Sequence, residues 1–194
     1  ADQMDYASVV GGCIGASTPA GARLAGLAPT GTMPHALVLI FGDTVRAAEA
    51  FDRHIEPDVP RIVLVDTFKD EAEEALRVAE ALGDRLWGVR LDTPSERGRV
   101  TADLVKEVRA RLDQAGHERV RIVVSGGIDV ERILYFKEAG APIDSFAVGG
   151  AISDASPIDF TGDLKEIDGQ PIAKRGRIPG RTENPRLRTI DLGA

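Results

Sequence analysis

The chain has 194 residues, of which 43% are hydrophobic and 28% are charged. This composition is typical of a soluble globular protein and suffices for one large core, but not for two. The formal net charge of −7 argues against a general nucleic-acid or membrane-surface binder, because both of those partners require a basic face. We therefore expect a small-molecule substrate, with neither nucleic acid nor membrane as a partner.

A few local features of the sequence indicate the cellular compartment and the processing of the amino end. Cys13 is the only cysteine, which excludes an intramolecular disulfide and suits a reducing compartment; we expect its side chain to be buried. No stretch approaches a membrane span, and the amino end has no basic segment followed by an apolar core. We expect a cytoplasmic protein. Its start at Ala1, in a polar run, predicts a cut or processed amino end.

Apolar runs alternate with amphipathic segments along most of the chain. Such alternation predicts an α/β fold with a parallel sheet, open or closed into a barrel. The predicted strands cover 61–67, 86–93, 120–127 and 145–150, with a short strand and turn at 8–17. The predicted helices cover 19–26, 70–82, 99–115 and 130–139, with another that starts near Pro34. The segment 52–60 is predicted to be a polar loop.

Beyond Pro157 the sequence becomes short, polar and rich in turns. Asp168-Gly169 is typical of a hairpin turn between two short strands. We therefore expect two parts: residues 1–156, an α/β barrel portion that carries the active-site loops, and residues 157–194, a β-rich extension and tail.

A turn, a helix start and a histidine coincide in the segment 31–37. Pro34 at a first helical position gives up an N–H that has no helical partner, so the helix is predicted to start there, with Leu37, Val38, Ile40 and Phe41 as its apolar stripe. His35 falls in the first turn, where the helix dipole favours bound anions and a neutral imidazole. It is a candidate nucleophile or acid/base, although a surface or capping role is the common alternative.

Polar residues follow each predicted strand of the barrel portion. In parallel α/β folds the working groups lie beyond the carboxyl ends of the strands. These ends read Asp66-Thr67, Arg90-Leu91-Asp92-Thr93, Ser125-Gly126-Gly127 and Gly149-Gly150. Because glycine has no Cβ, the two glycine pairs allow backbone N–H groups to approach an anion, which predicts a phosphate site.

Asp66 and Asp92 end two neighbouring strands. Their carboxylates are suited to ribose hydroxyls or to a Mg²⁺ that bridges a pyrophosphate; capping of the helix that follows each is the alternative. Arg90 alternates with Asp92 and so shares its face, where it could hold an anionic substrate group or pair with an Asp. These residues predict a phosphorylated sugar as ligand, but they do not name a reaction.

Five ordered motifs together resemble nicotinate phosphoribosyltransferases, particularly the shorter archaeal and bacterial type. The order and spacing fit from about Asp5 to Gly180. The motifs are GTMPHAL (31–37), VDTFKDE (65–71), RLDTP (90–94), VSGGID (124–129) and KRG (174–176).

The resemblance implies a type II phosphoribosyltransferase with an irregular, here incomplete, parallel α/β barrel and a carboxyl-terminal β extension. Such enzymes join nicotinate to phosphoribosyl pyrophosphate with Mg²⁺ in NAD salvage, giving nicotinate mononucleotide and pyrophosphate. Many couple this step to ATP hydrolysis through a phosphorylated histidine. Homo-oligomers, dimers or larger, are also typical of the family.

The resemblance also suggests a role for each candidate residue. His35 matches the phosphorylated histidine. Asp92 is the second catalytic candidate, facing the ribose and serving as a Mg²⁺ ligand. The substrate-binding candidates are Thr32, Asp66, Thr67, Arg90, Ser125, Gly126, Gly127, Gly149 and Gly150, with Arg90 toward the pyridine carboxylate and the glycine loops toward the 5′-phosphate.

Two departures from the family pattern bear on activity. Gly150 stands where the family usually has a hydroxyl residue, and the family's amino-terminal domain has no counterpart in this chain. We therefore expect this chain alone to be inactive or to need association with a missing amino-terminal segment. Two other functions remain open: a quinolinate phosphoribosyltransferase, which releases CO₂, and a non-catalytic sugar-phosphate-binding remnant.

Overall fold

The computed structural model describes residues 2–154, 156 and 162–186. The chain divides after residue 155 into two compact units. The first contains a four-stranded sheet in the order β1-β2-β3-β4, and all its neighbouring pairs are parallel. The strands are β1 Arg61–Leu64, β2 Leu86–Leu91, β3 Arg121–Val124 and β4 Ser145–Phe146. The predicted α/β class with a parallel sheet is confirmed.

Eight α-helices lie in the described part of this unit. They are α1 Asp2–Val10, α2 Pro19–Leu24, α3 His35–Phe41, α4 Thr44–His54, α5 Glu71–Leu82, α6 Ala102–Gln114, α7 Val130–Glu138 and α8 Gly150–Ser153. Side-chain caps fix several of their starts. Asp70 accepts hydrogen bonds from two N–H groups of the first turn of α5, while Thr101 and Asp129 cap α6 and α7 in the same way.

The core lies between the sheet and the helices. Helices α4, α5 and α6 pack side by side, and α4 and α5 contact β1 and β2. Val63, Val89 and Ile122, one from each of the first three strands, are completely buried. Phe136 of α7 is also buried, with its ring centroid 5.8 Å from that of Phe146 in β4. The apolar runs of the sequence therefore form one continuous core in this unit.

The amino-terminal prediction is wrong. Residues 8–17 do not form a strand: helix α1 runs to Val10 and a loop follows it. No described residue of α1 is buried, and Ile14 is 90% exposed. Cys13, expected to be buried, is exposed. Apart from Ala16, the apolar residues of this segment are therefore not buried, although the strand prediction assumed that they are.

The helix that contains His35 begins one residue later than predicted and ends at Phe41. Pro34 is the N-cap, with extended backbone, rather than a helical residue. Gly42, in the left-handed conformation at φ 67°, ends α3, and Ile40 of the predicted stripe is 80% exposed. Helix α4 then runs to His54, so residues 52–54 of the predicted 52–60 loop are helical. Its Asp52 is buried and accepts a hydrogen bond from Arg61.

The second unit contains a small hairpin. Its strands β5 Glu166–Ile167 and β6 Gln170–Pro171 pair antiparallel. Asp168 and Gly169 both have positive φ, at 48° and 78°, as a two-residue hairpin turn requires. The hairpin prediction is confirmed. Residues 157–161 and 187–194 of the predicted extension and tail lie outside the described residues. In the described part of the chain, every helix is too short or too polar to cross a bilayer.

Replacing Gly88 by Ala is expected to destabilise the sheet. A Cβ at Gly88 would lie 2.7 Å from the carbonyl oxygen of Arg121 on the paired strand, so β2 and β3 would have to separate. Overpacking of this kind lowers the free energy of unfolding by about 1–3 kcal/mol. Urea denaturation of Gly88→Ala measures the loss. Gly31→Ala, with open space at its Cβ position, is the matched control, and equal stability of both variants would contradict the prediction.

Candidate active site

The polar ends of three strands meet the turn that precedes α3. Strand register explains the meeting, because Leu64 of β1 pairs with Arg90 of β2 and the residues two positions further on, Asp66 and Asp92, stand side by side. Ser125 follows β3, the next strand. The residues joined by direct hydrogen bonds or ion pairs, here named the strand-end cluster, are Thr32, His35, Asp66, Arg90, Asp92 and Ser125.

His35 lies between two carboxylates. Its Nε2 is 3.2 Å from both carboxylate oxygens of Asp66, and its Nδ1 is 4.0 Å from Oδ2 of Asp92. The imidazole is 40% exposed, whereas the side chain of Asp66 is 2% exposed. When Nε2–H donates to Asp66, Nδ1 carries the lone pair. This arrangement fixes one tautomer and leaves a nucleophilic nitrogen on a partly open ring.

Burial shifts the titration of Asp66. Removal of its carboxylate from water raises its pKa above the ordinary value, and the neighbouring Asp92 adds to this effect. The hydrogen bond and charge of His35 act in the opposite direction but do not reverse the shift. Asp66 is therefore a carboxylate held in an unfavourable environment, a feature concentrated at functional sites.

Arg90 uses its whole guanidinium fork inside the cluster. Its Nε donates to Oγ of Ser125 at 2.8 Å, its Nη1 to Oγ1 of Thr32 at 2.6 Å, and its Nη2 to Oδ2 of Asp92 at 2.8 Å. These bonds use three of the five N–H donors. The side chain is 23% exposed, so these partners do not enclose the guanidinium completely. A fixed fork with free donors is suited to a carboxylate or phosphate.

The glycine pair after β3 depends on the absence of side chains. Gly126 and Gly127 have φ values of 84° and 63°, which favour glycine. A Cβ at Gly126 would lie 2.9 Å from Oδ1 of Asp92. Ser125, just before the pair, is 3% exposed, and its N–H donates to the carbonyl of Leu91 at 2.9 Å. The loop is therefore anchored to β2 and brings bare backbone beside Asp92.

Three other predicted residues stand outside this bonded cluster. Thr67 follows Asp66, and its buried hydroxyl has no hydrogen-bond partner in the described part of the chain. Gly149 and Gly150 follow β4 and begin α8, and both are exposed. Gly149 accepts hydrogen bonds from Ile152 and Ser153 of that helix. The structure thus places this second glycine pair at the end of the neighbouring strand.

Sequence analysis did not predict a buried hydrogen bond and ion pair next to the strand-end cluster. Oγ1 of Thr93, the residue after Asp92, donates to Glu71 at 2.8 Å, and Arg97 lies 3.5 Å from the same carboxylate. Glu71 is 2% exposed. Both Glu71 and Thr93 belong to the recognised motifs, but a glutamate in the first turn of a helix gives no sign that it faces inward. This contact ties the loop after β2 to the start of α5.

The site has few carboxylates with which to bind a metal ion. Among the residues that the structure describes, no group of three or more His, Cys, Asp or Glu side chains could hold a metal by itself. Mg²⁺ commonly binds through one or two carboxylates together with substrate phosphates. Asp92 and Asp66 fit that donor set, with Oδ1 of Asp92 beside the glycine pair.

Comparison with known proteins places this chain among phosphoribosyltransferases. Residues 3–163 match the family model described as quinolinate phosphoribosyl transferase, C-terminal domain. The chain is 35% identical over 185 residues to the nicotinate phosphoribosyltransferase pncB2 of Mycobacterium tuberculosis, covering 91% of this chain and 39% of that protein. It is 32% identical over 148 residues to the nicotinate phosphoribosyltransferase of Bacillus subtilis, covering 74% of this chain and 29% of that protein.

A solved structure has a similar fold. The crystal structure of nicotinate-nucleotide pyrophosphorylase from Pyrococcus furiosus superposes with a TM-score of 0.80 at 49% identity. The superposition covers 93% of this chain and 46% of that chain. This chain spans 39% of the length of the M. tuberculosis relative that it matches.

Proposed function

The chain belongs to the quinolinate phosphoribosyl transferase C-terminal domain family, and within this family we propose that it is the catalytic barrel portion of a nicotinate phosphoribosyltransferase. The reaction joins nicotinate to phosphoribosyl pyrophosphate, giving nicotinate mononucleotide and pyrophosphate. The names of the M. tuberculosis and B. subtilis relatives support this reading. The four parallel strands form part of the incomplete α/β barrel that the sequence resemblance implies.

The observation that carries the proposal is the position of Arg90. Its guanidinium is fixed by Thr32, Ser125 and Asp92, and it keeps two N–H donors for a ligand. Nicotinate has one carboxylate, which such a fork can bind in bidentate fashion. Quinolinate has two carboxylates and would need a second cationic group beside Arg90. The strand-end cluster therefore favours nicotinate.

Asp92 is proposed to be the group that meets the ribose. Departure of pyrophosphate leaves positive charge on the sugar, and a fixed carboxylate stabilises that charge. Asp92 also has an oxygen beside the glycine pair and would hold Mg²⁺ together with the pyrophosphate oxygens. When bound, Mg²⁺ neutralises charge on the leaving group.

His35 is suited to couple ATP hydrolysis to this reaction. Its Nδ1 would attack the γ-phosphorus of ATP, so that the N–P bond forms while the bond to the ADP oxygen breaks. Asp66 accepts the Nε2–H bond throughout and stabilises the charge that develops on the ring. The start of α3, with its unpaired N–H groups, favours the phosphoryl anion.

Labelling with γ-³²P-ATP tests the role of His35. We expect the 194-residue chain, incubated with Mg²⁺ and labelled ATP, to acquire an acid-labile phosphoryl group. The label should disappear in His35→Ala, because that variant lacks the nucleophile, and persist in His54→Ala, whose exposed imidazole ends α4. Equal labelling of both variants would contradict the assignment.

Product analysis tests the reaction. Nicotinate, phosphoribosyl pyrophosphate, Mg²⁺ and ATP are supplied to the chain alone and to the chain with an amino-terminal fragment that co-purifies with it, and nicotinate mononucleotide is followed by chromatography. Formation of the nucleotide supports the proposal. Release of CO₂ from quinolinate in its place would favour a quinolinate phosphoribosyltransferase. Bound phosphoribosyl pyrophosphate with neither label nor product in either preparation would indicate a non-catalytic sugar-phosphate-binding protein.

A further inference from the structure

Arg99 has an unusual backbone conformation. Its φ is 64°, and within the described residues only Asp168, in the hairpin turn, is another non-glycine residue with positive φ. The left-handed region is unfavourable for arginine, and residues held there cluster at binding sites. Arg99 is not in a hairpin: it follows Gly98, which is also left-handed, at the end of a short 3₁₀-helix, and Val100 separates it from the cap of α6.

Helix α7 holds the backbone that follows Arg99. The guanidinium of Arg132 donates a hydrogen bond to the carbonyl of Val100, and the N–H of Ala102 donates to the hydroxyl of Tyr135 at 3.2 Å. On the other side, the N–H of Arg99 donates to the carbonyl of Pro94 at 3.0 Å. These contacts fix the segment in place, so the left-handed residue is maintained by its surroundings.

The side chain of Arg99 reaches the glycine pair. Its Nη1 lies 3.6 Å from the position that a Cβ of Gly127 would occupy, while Oδ1 of Asp92 lies 2.9 Å from the corresponding position at Gly126. The guanidinium therefore borders Gly127, and the carboxylate borders Gly126. The bare backbone of Gly127 beside a cation suits a phosphate monoester.

The charge of Arg99 is available to a ligand. Arg97, two residues earlier, pairs with the buried carboxylate of Glu71. Arg99 has no such ion pair among residues 2–154 that the structure describes, and it is exposed. A guanidinium with free donors at a glycine loop adds a strong, bidentate contact for phosphate oxygens.

We propose that Arg99 binds the phosphate of the sugar-phosphate ligand beside Gly127 of the Gly126-Gly127 loop. Identification of this group as the 5′-phosphate of phosphoribosyl pyrophosphate rests on the proposed function; the anion site itself rests on the contacts of Arg99.

Substitution by glycine separates binding from stability. Arg99→Gly removes the guanidinium and also relieves the unfavourable φ. We expect its Tm to equal or exceed that of the unchanged chain. We expect its affinity for ribose 5-phosphate, measured by calorimetry, to fall about tenfold, as loss of a charged hydrogen-bonding partner predicts. Arg99→Lys keeps the charge and the strain, and its affinity should lie between the two.

Asp168→Gly is the matched control, because it relieves the other left-handed residue far along the sequence from the site. Its affinity for ribose 5-phosphate should not change. Unchanged affinity in Arg99→Gly, or no binding of ribose 5-phosphate by the unchanged chain, would overturn the proposal. Weaker binding accompanied by a lower Tm would show a structural role and would overturn it too. Absence of nicotinate turnover even with an amino-terminal fragment supplied, together with Arg99-dependent phosphate binding, would reject only the proposed function.

Discussion

An Arg90→Lys variant is expected to bind nicotinate mononucleotide about 100-fold more weakly than the unchanged chain. Lysine keeps the charge, but one ammonium group cannot reproduce the three directed bonds to Thr32, Ser125 and Asp92 and also serve a ligand. A hydrogen bond to a charged group contributes about 1.5–3 kcal/mol, and each 1.4 kcal/mol corresponds to about a tenfold change in affinity. Isothermal titration measures the loss.

Comparison with the amide nucleotide tests the reason for that loss. If Arg90 binds the pyridine carboxylate, the unchanged chain prefers nicotinate mononucleotide over nicotinamide mononucleotide, and Arg90→Lys loses most of that preference. Thr32→Val and Ser125→Ala are controls that each remove one support of the fork. They should weaken binding about tenfold without reversing the preference. Full discrimination retained in Arg90→Lys would show that another group recognises the acid.

The sheet could be predicted from local pattern because its strands are buried on both faces. Runs such as 61–67 and 120–127 contain consecutive apolar residues, and the structure places strands within both. The strands end earlier than predicted, at Leu64 and Val124, since the following polar residues leave the regular ladder to form the site. The N–H of Val65 still donates to the carbonyl of Arg90 at 3.2 Å, so backbone hydrogen bonding between β1 and β2 continues one residue beyond Leu64.

The amino-terminal segment was not predictable in the same way. A run of apolar and tiny residues favours a strand only when its apolar side chains are buried. Here Val10 is 71% exposed at the end of a helix that packs on α2 through backbone and polar contacts, including the carboxylate of Asp5 with the N–H of Thr18 at 2.5 Å. Such contacts leave no periodic signal in the sequence.

For the site, the sequence indicates the residues but not their pairing. Strand ends could be located, and from them Asp66, Arg90, Asp92 and Ser125 were expected near one edge. The contact of Arg90 with Thr32 joins residues 58 positions apart, and it depends on how the turn before α3 lies against the sheet. Tertiary packing decides that position, so neither this bond nor the choice of Asp66 as the partner of His35 follows from spacing alone.

The Asp66→Asn variant is expected to be more stable than the unchanged chain at pH 7 and to lose labelling of His35 by about 100-fold or more. Burial raises the folded-state pKa of Asp66 above its ordinary value of 3.8. The folded state therefore holds this proton more tightly than the unfolded state does, and stability is lost as pH rises through the folded-state pKa. Asparagine stays neutral and avoids this loss, but it cannot stabilise charge on the imidazole as a carboxylate does.

Thermal unfolding from pH 4 to pH 8 measures the difference in stability between Asp66→Asn and the unchanged chain. The gain from asparagine should be present at pH 7 and shrink as pH falls through the folded-state pKa of Asp66, where the unchanged chain also carries a neutral group. In a His35→Ala background the gain at pH 7 should be larger, because the imidazole that offsets part of the burial effect is absent. A variant less stable than the unchanged chain at pH 7 would mean that the bond from His35 outweighs the burial of Asp66, and that this pair stabilises the fold as well as the site.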